Sequence, residues 1–185
     1  MPSGPGPIPE ELIAEIASQV PPPIATFLLT CAQDIETIIA QQRRCRTNTI
    51  QIVDHLIDGS HDELRAALPG IKIVQVIHVC GEESISEAVK VAEHVDAILL
   101  DSGNPKLAVK ELGGTGRCHD WNISRTIRER IGVPLFLAGG LNLENVREAI
   151  DQVQPWGIDL CSGVRTNGRL DEQKLADFFA AATRN

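Results

Sequence analysis

The sequence predicts an α/β domain built on a parallel sheet. Three observations lead there. A helix-like opening is followed by six strand–helix units at roughly 25-residue spacing, the alternation that parallel βαβ units produce. The Gly-bearing segments fall just after apolar runs, where both parallel architectures bind ligands. No linker or low-complexity block divides residues 1–185, which read as one domain. An open doubly wound sheet and a (β/α)8 barrel both fit this pattern. A closed barrel takes at least about 200 residues and eight strands, so six units leave the choice open.

The elements follow in order. Residues 1–8 form a Gly/Pro-rich loop, and Pro9 suits the first turn of a helix that runs to Gln19. Leu12, Ile13, Ile16, Ala17 and Val20 lie near one face of it, and prolines 21–23 end it. Residues 24–29 are a strand and 32–43 a helix with Ile35, Ile38 and Ile39 inward. Residues 49–53 are the second strand, and Ser60 caps a short helix that stops before Pro69-Gly70. The run 71–79 is the third strand, 82–94 a helix, and 96–101 the fourth strand. A long irregular stretch, 102–121, separates it from a helix at 122–131; such a loop inside a domain is usually functional. Strands at 134–138 and 156–161, with helices at 143–152 and 171–182, complete the chain.

Composition removes several functions. A formal charge of −8 gives no basic stripe for phosphate backbones, and 3% aromatic residues give no stacking platform for bases. No apolar run reaches the ~20 residues that a membrane helix needs. Residues 1–12 lack the layout of a signal peptide. Five scattered cysteines without a CxxC pair fit reduced thiols in a cytoplasmic protein, not a disulfide framework or a zinc site. The expected protein is acidic and soluble, with no nucleic-acid or membrane partner.

Three strand ends carry chemistry. Asp101 closes the apolar run Ile98-Leu99-Leu100, which points a carboxylate into the mouth of either architecture; capping the next turn is an equal reading. After the fifth strand come Gly139 and Gly140, whose amides can close on a phosphate, with Asn142 placed to cap the next helix. After the sixth come Ser162 and Gly163, a hydroxyl and more accessible amides. Gly-bearing turns on the last two strands match the usual phosphate position of barrels. In the long loop, Gly113, Gly114 and Gly116 suit a segment that folds over a ligand. It lacks the GK[ST] ending of a nucleotide-binding loop, and the adjacent Cys118-His119-Asp120 is a poor triad, because sequence neighbours seldom aim at one point.

LLDS at 99–102, GGTGRCHDW at 113–121, FLAGGLNLENVREAI at 136–150 and WGIDLCSGVR at 156–165 together resemble the phosphoribosylanthranilate isomerase family. The resemblance covers essentially the whole chain and implies a TIM-type (β/α)8 barrel that uses no metal or cofactor. It implies an aldose–ketose isomerase of tryptophan biosynthesis. Such enzymes convert N-(5-phosphoribosyl)anthranilate to 1-(2-carboxyphenylamino)-1-deoxyribulose 5-phosphate by an Amadori rearrangement. On that resemblance Asp101 is the general acid, Asp159 helps to orient substrate, with a structural strand-end carboxylate an equal reading, Gly114 binds substrate, and Gly139, Gly140, Ser162 and Gly163 hold its phosphate. An acid at neutral pH must carry its proton, which the apolar strand before Asp101 favours by disfavouring the anion.

The sequence also departs from the family. Members open with a strand ending in Lys-x-Cys-Gly, whose cysteine is the base, and no such segment is present here. Aligning residues 9–19 with the family's second helix accounts for six strands where a barrel has eight. The expectations are an incomplete barrel, impaired turnover, and exposed sheet edges that support a homodimer. Cys31, Cys80 and Cys161 follow strands but read as core residues, and His78 reads as a partly exposed structural histidine. A noncatalytic phosphosugar-binding homologue is the alternative.

Overall fold

Six parallel strands pair in sequence order, β1-β2-β3-β4-β5-β6, with helices between them. The computed structural model describes residues 7–104 and 118–183. After helix α1 (Glu10–Gln19) come β1 (Phe27–Thr30), α2 (Ile35–Cys45), β2 (Thr49–Ile52), α3 (His61–Ala67) and β3 (Lys72–His78). Then follow α4 (Glu83–Ala92), β4 (Ala97–Asp101), α5 (Trp121–Arg130), β5 (Leu135–Leu137), α6 (Val146–Val153) and β6 (Gly157–Ile158). A 3₁₀ turn, Ser162–Val164, leads into a hairpin of β7 (Arg165–Thr166) and β8 (Arg169–Leu170), and α7 (Glu172–Ala182) ends the described chain.

Alternation divides the sheet into two faces. Ile50, Ile52, Ile73, Ile77, Ile98, Leu100, Leu135 and Leu137 point one way and join Ile38, Leu64, Ile127 and Phe178 from the helices in the main core. Val53, Val74, Val76, Ala97, Leu99 and Ala138 point the other way, with Phe136 packed against them. That second face curls. The rings of Phe27 on β1 and Phe136 on β5 lie 6.4 Å apart, edge to face. Four strand spacings in a flat sheet would separate those strands by about 19 Å. Sequential order and this closure exclude the doubly wound alternative, whose order reverses in the middle.

The caps mark where helices begin. Asp34 accepts the Thr37 amide at 2.8 Å, Ser60 that of Glu63 at 3.3 Å, Asp120 that of Asn122 at 2.9 Å and Asp171 that of Lys174 at 3.1 Å. β1 starts later than the apolar run suggests, because the Ile24 amide bonds to Pro21 O at 2.9 Å and closes a turn. β6 is shorter than expected, since the chain leaves the sheet after the Asp159 amide bonds to Leu137 O. The β7–β8 hairpin is absent from the sequence reading. Its signal is Asn167-Gly168, both at positive φ (52° and 76°), a pair that suits a two-residue hairpin turn.

Ile98 has no exposed surface at the centre of the main core. Ile98→Ala should lower unfolding stability by about 2–5 kcal/mol in urea titrations. Ile57→Ala, at a position 76% exposed, should stay within about 0.5 kcal/mol of the parent protein. Equal midpoints for the two variants would contradict the core assignment.

Candidate active site

The strands deliver their C-terminal ends to one rim. His78 and Asp101 are register partners on β3 and β4, and both follow the inward-facing series of Val74, Val76 and of Ala97, Leu99. Asp101 is 9% exposed, and one carboxylate oxygen accepts the Ser102 amide at 2.7 Å. On β6, a Cβ on Gly157 would meet the Phe136 ring at 2.9 Å, so Gly157 faces the same interior. Asp159, two residues later, faces it too and opens to the mouth. Its carboxyl is pushed above the usual carboxylate range, first by desolvation in the cradle and second by repulsion from the Asp101 carboxyl when both are ionised. The two carboxyl groups therefore share one electrostatic field.

Beside them the Gly-bearing turns meet. Gly139 and Gly140 have φ of 85° and 64°, conformations natural to glycine. Gly163 sits so close to the same turn that a Cβ there would lie 2.2 Å from Leu141 O. Asn142 accepts the amides of Glu144 and Asn145 at 2.8 and 3.2 Å, and Asn145 donates to Gly140 O at 3.0 Å, which locks the turn before α6. The four residues assigned to phosphate thus lie on two turns in backbone contact. Gly114 lies outside the described residues.

His119 is a site residue that the sequence did not expose. Its Nε2 lies 2.7 Å from Ser124 Oγ, and Nδ1 approaches to 3.0 Å of where a Gly139 Cβ would stand. Desolvation holds the imidazole down to about 4, against the opposing pull of Asp101 and Asp120. It is neutral at physiological pH and packs the Gly139 turn against α5. Cys118 points to the same turn, receiving Asn145 Nδ2 at 3.3 Å, while Asp120 caps α5. The three neighbours have three jobs, and no triad forms. His78 corrects the sequence reading directly: it is 6% exposed, not partly exposed, because it points into the cradle and binds Val53 O at 2.9 Å. Cys31, Cys80 and Cys161 are exposed rather than core residues, because each follows the strand to the rim.

His119 makes stability depend on pH with a definite sign. An unfolded imidazole titrates near 6.5 and the folded one at about 4. Between these values the unfolded chain binds more protons, so this contribution is full above about pH 6.5 and is lost as pH falls toward 4. The raised Asp159 acts in the opposite sense at the acid end. Comparison with His119→Gln isolates the imidazole: urea titrations between about pH 7 and 4 should show a shallower pH slope for the variant. Equal slopes would contradict a buried, neutral His119.

Comparison with known proteins decides the family. The family model for N-(5'phosphoribosyl)anthranilate (PRA) isomerase matches residues 8–181. The chain belongs to the PRA isomerase family. PRA isomerase 2 of Methanosarcina mazei is 37% identical over 176 residues, covering 95% of this chain and 77% of the relative. The solved PRA isomerase of Thermotoga maritima superposes with a TM-score of 0.77 at 30% identity, covering 98% of this chain and 83% of that one. A further solved PRA isomerase, in complex with reduced 1-(o-carboxyphenylamino)-1-deoxyribulose 5-phosphate, has a TM-score of 0.74 at 27% identity, with 98% and 82% covered. The curved parallel sheet described above is thus of the family's TIM-barrel type, with six strands in the main sheet of the described residues.

Proposed function

We propose that this chain catalyses the Amadori rearrangement of N-(5-phosphoribosyl)anthranilate in tryptophan biosynthesis, an intramolecular aldose–ketose isomerisation. One observation carries the reading: a buried strand-end carboxylate, Asp101, shares a rim with two Gly-bearing turns in backbone contact. The solved relative that holds the reduced product supports the same ligand here. Asp101 protonates the furanose oxygen, and the ring opens to an iminium. Loss of the C2 proton gives an enolamine, which tautomerises to the ketone. The amides at Gly139, Gly140 and Gly163, with Ser162, hold the phosphate by hydrogen bonds that need no metal. Asp159 orients the sugar from the neighbouring strand, and Gly114 contributes to the substrate side.

The thiols suit a reducing, cytoplasmic setting. β1 pairs only with β2 among the described residues, and a second copy packs on its other edge. Light scattering should then give a dimer at micromolar concentration; a monomer there would rule the contact out. The functional test is a steady-state assay of the purified chain with N-(5-phosphoribosyl)anthranilate. Formation of the ribulose phosphate supports the reading, and a chain that neither turns over nor binds the substrate or its reduced product refutes it.

A further inference from the structure

The turn after β5 holds free donors beside a captured carbonyl. Among the described residues, the amides of Gly139, Gly140 and Leu141 donate to no acceptor, and successive free amides of this kind form anion-binding concavities. Gly140 O, by contrast, is taken by two side-chain amides, Asn145 Nδ2 at 3.0 Å and Asn142 Nδ2 at 3.3 Å, with the Cys118 thiol at 3.8 Å. Asn145 joins these groups. Its Nδ2 donates to Gly140 O and to Cys118 Sγ, the latter at 3.3 Å, while Oδ1 accepts the Asn142 amide at 2.8 Å. The reverse orientation would set Oδ1 against a carbonyl, two acceptors face to face, so the side chain has one way to sit. The Gly140–Leu141 peptide is trans, so the Leu141 N–H points opposite to the captured carbonyl. Donors on that carbonyl polarise the peptide and make its N–H a stronger donor.

We infer that Asn145 is a positioning residue for phosphate binding: it holds Gly140 O toward α6 and so presents the Leu141 amide, with those of Gly139 and Gly140, to the phosphate of the substrate. The inference rests on the phosphate reading of this turn and adds Asn145 and the Leu141 amide to it. Asn145 acts through the peptide and does not touch the ligand. The turn needs such a hold because Gly139 and Gly140, at φ of 85° and 64°, are the residues least able to resist rotation of the peptide that follows. Rotation would bring the negative end of the Gly140 carbonyl toward the dianion and carry the Leu141 N–H away from it. Asn142 is the weaker hold on Gly140 O, and its own Oδ1 is engaged by the amides of Glu144 and Asn145 at 2.8 and 3.2 Å. Only an amide side chain supplies the donors and the acceptor that position 145 uses at once.

Calorimetry on the full chain with the reduced ribulose phosphate product tests this. Asn145→Ala should bind the product about 10–100-fold more weakly than the wild type, the range of a hydrogen bond to a charged group. Cys118→Ala removes only the thiol, a weak partner, and should stay within about 3-fold. In steady state the loss should fall on KM for N-(5-phosphoribosyl)anthranilate with kcat kept, whereas a general loosening of the site would lower kcat as well. Wild-type affinity in Asn145→Ala, an equal loss in Cys118→Ala, or a loss carried by kcat would overturn the positioning role and leave the isomerase reading standing. Failure of the wild type to bind the product would overturn both. Should Asn145→Ala not fold, ¹⁵N NMR of the wild type with inorganic phosphate decides. The Leu141 amide and Asn145 Nδ2 signals should shift together with one midpoint, because both act on one peptide, and either signal staying still would overturn the inference.

Discussion

Replacing Asp101 with Asn should lower turnover of N-(5-phosphoribosyl)anthranilate by about 10²–10⁴-fold, the usual cost of losing a positioned proton donor. Asparagine preserves the shape and the acceptor for the Ser102 amide, which Asp101 Oδ1 now binds at 2.7 Å, but it has no acidic proton. The fold should survive, because the backbone bond from the Val79 amide to Asp101 O, 2.9 Å, is untouched. The phosphate turns lie beside it, with Gly139 against Ser102, but an isosteric amide leaves them in place, so affinity for the reduced product should change little. The loss should therefore fall on kcat rather than on KM. Single-turnover kinetics with calorimetry separates the two, and a variant with wild-type kcat would remove Asp101 from the chemistry.

Gly163→Ala should damage binding instead. The new methyl would stand 2.2 Å from Leu141 O, well inside any tolerable contact, and what it meets is backbone rather than a yielding side chain. The 139–142 turn and the Ser162–Val164 turn must then separate. A displacement near 1 Å can cost about 10²-fold in a positioned reaction, and the expected loss is of that order in kcat/KM, carried by KM. Ser162→Ala removes one hydroxyl without moving either turn and should cost about 10-fold, the low end for a hydrogen bond to a charged group. Equal effects of the two substitutions would show that the turns do not jointly hold the phosphate.

Much of the architecture was legible because strand–helix alternation is a local signal. The apolar runs 24–29, 71–79 and 96–101 mark the strands that end at Thr30, His78 and Asp101, and Ser60 stands where a cap belongs. The choice between open sheet and barrel was not legible in periodicity. It depends on curvature, which the Phe27–Phe136 contact reports and no spacing in the sequence encodes. At the site, Asp101 and the glycines announced themselves by their position after strands. That Gly163 abuts Leu141 O is a long-range fact. His78 escaped because one histidine at a strand end reads alike whether it is solvated or enclosed. Its burial is set by strand register with Asp101 and by the Val53 carbonyl of β2, both distant in sequence. His119 escaped for a similar reason: its partners, Ser124 and the Gly139 turn, lie on two separate elements.

The most direct test of the account is a crystal structure of the chain with the reduced ribulose phosphate product bound. The phosphate should lie between the turns at Gly139-Gly140 and Ser162-Gly163, within hydrogen-bond distance of their amides. The sugar chain should extend toward Asp101, with Asp159 on its flank. Phosphate density at any other place on the molecule, or a sugar chain directed away from Asp101, would contradict the account.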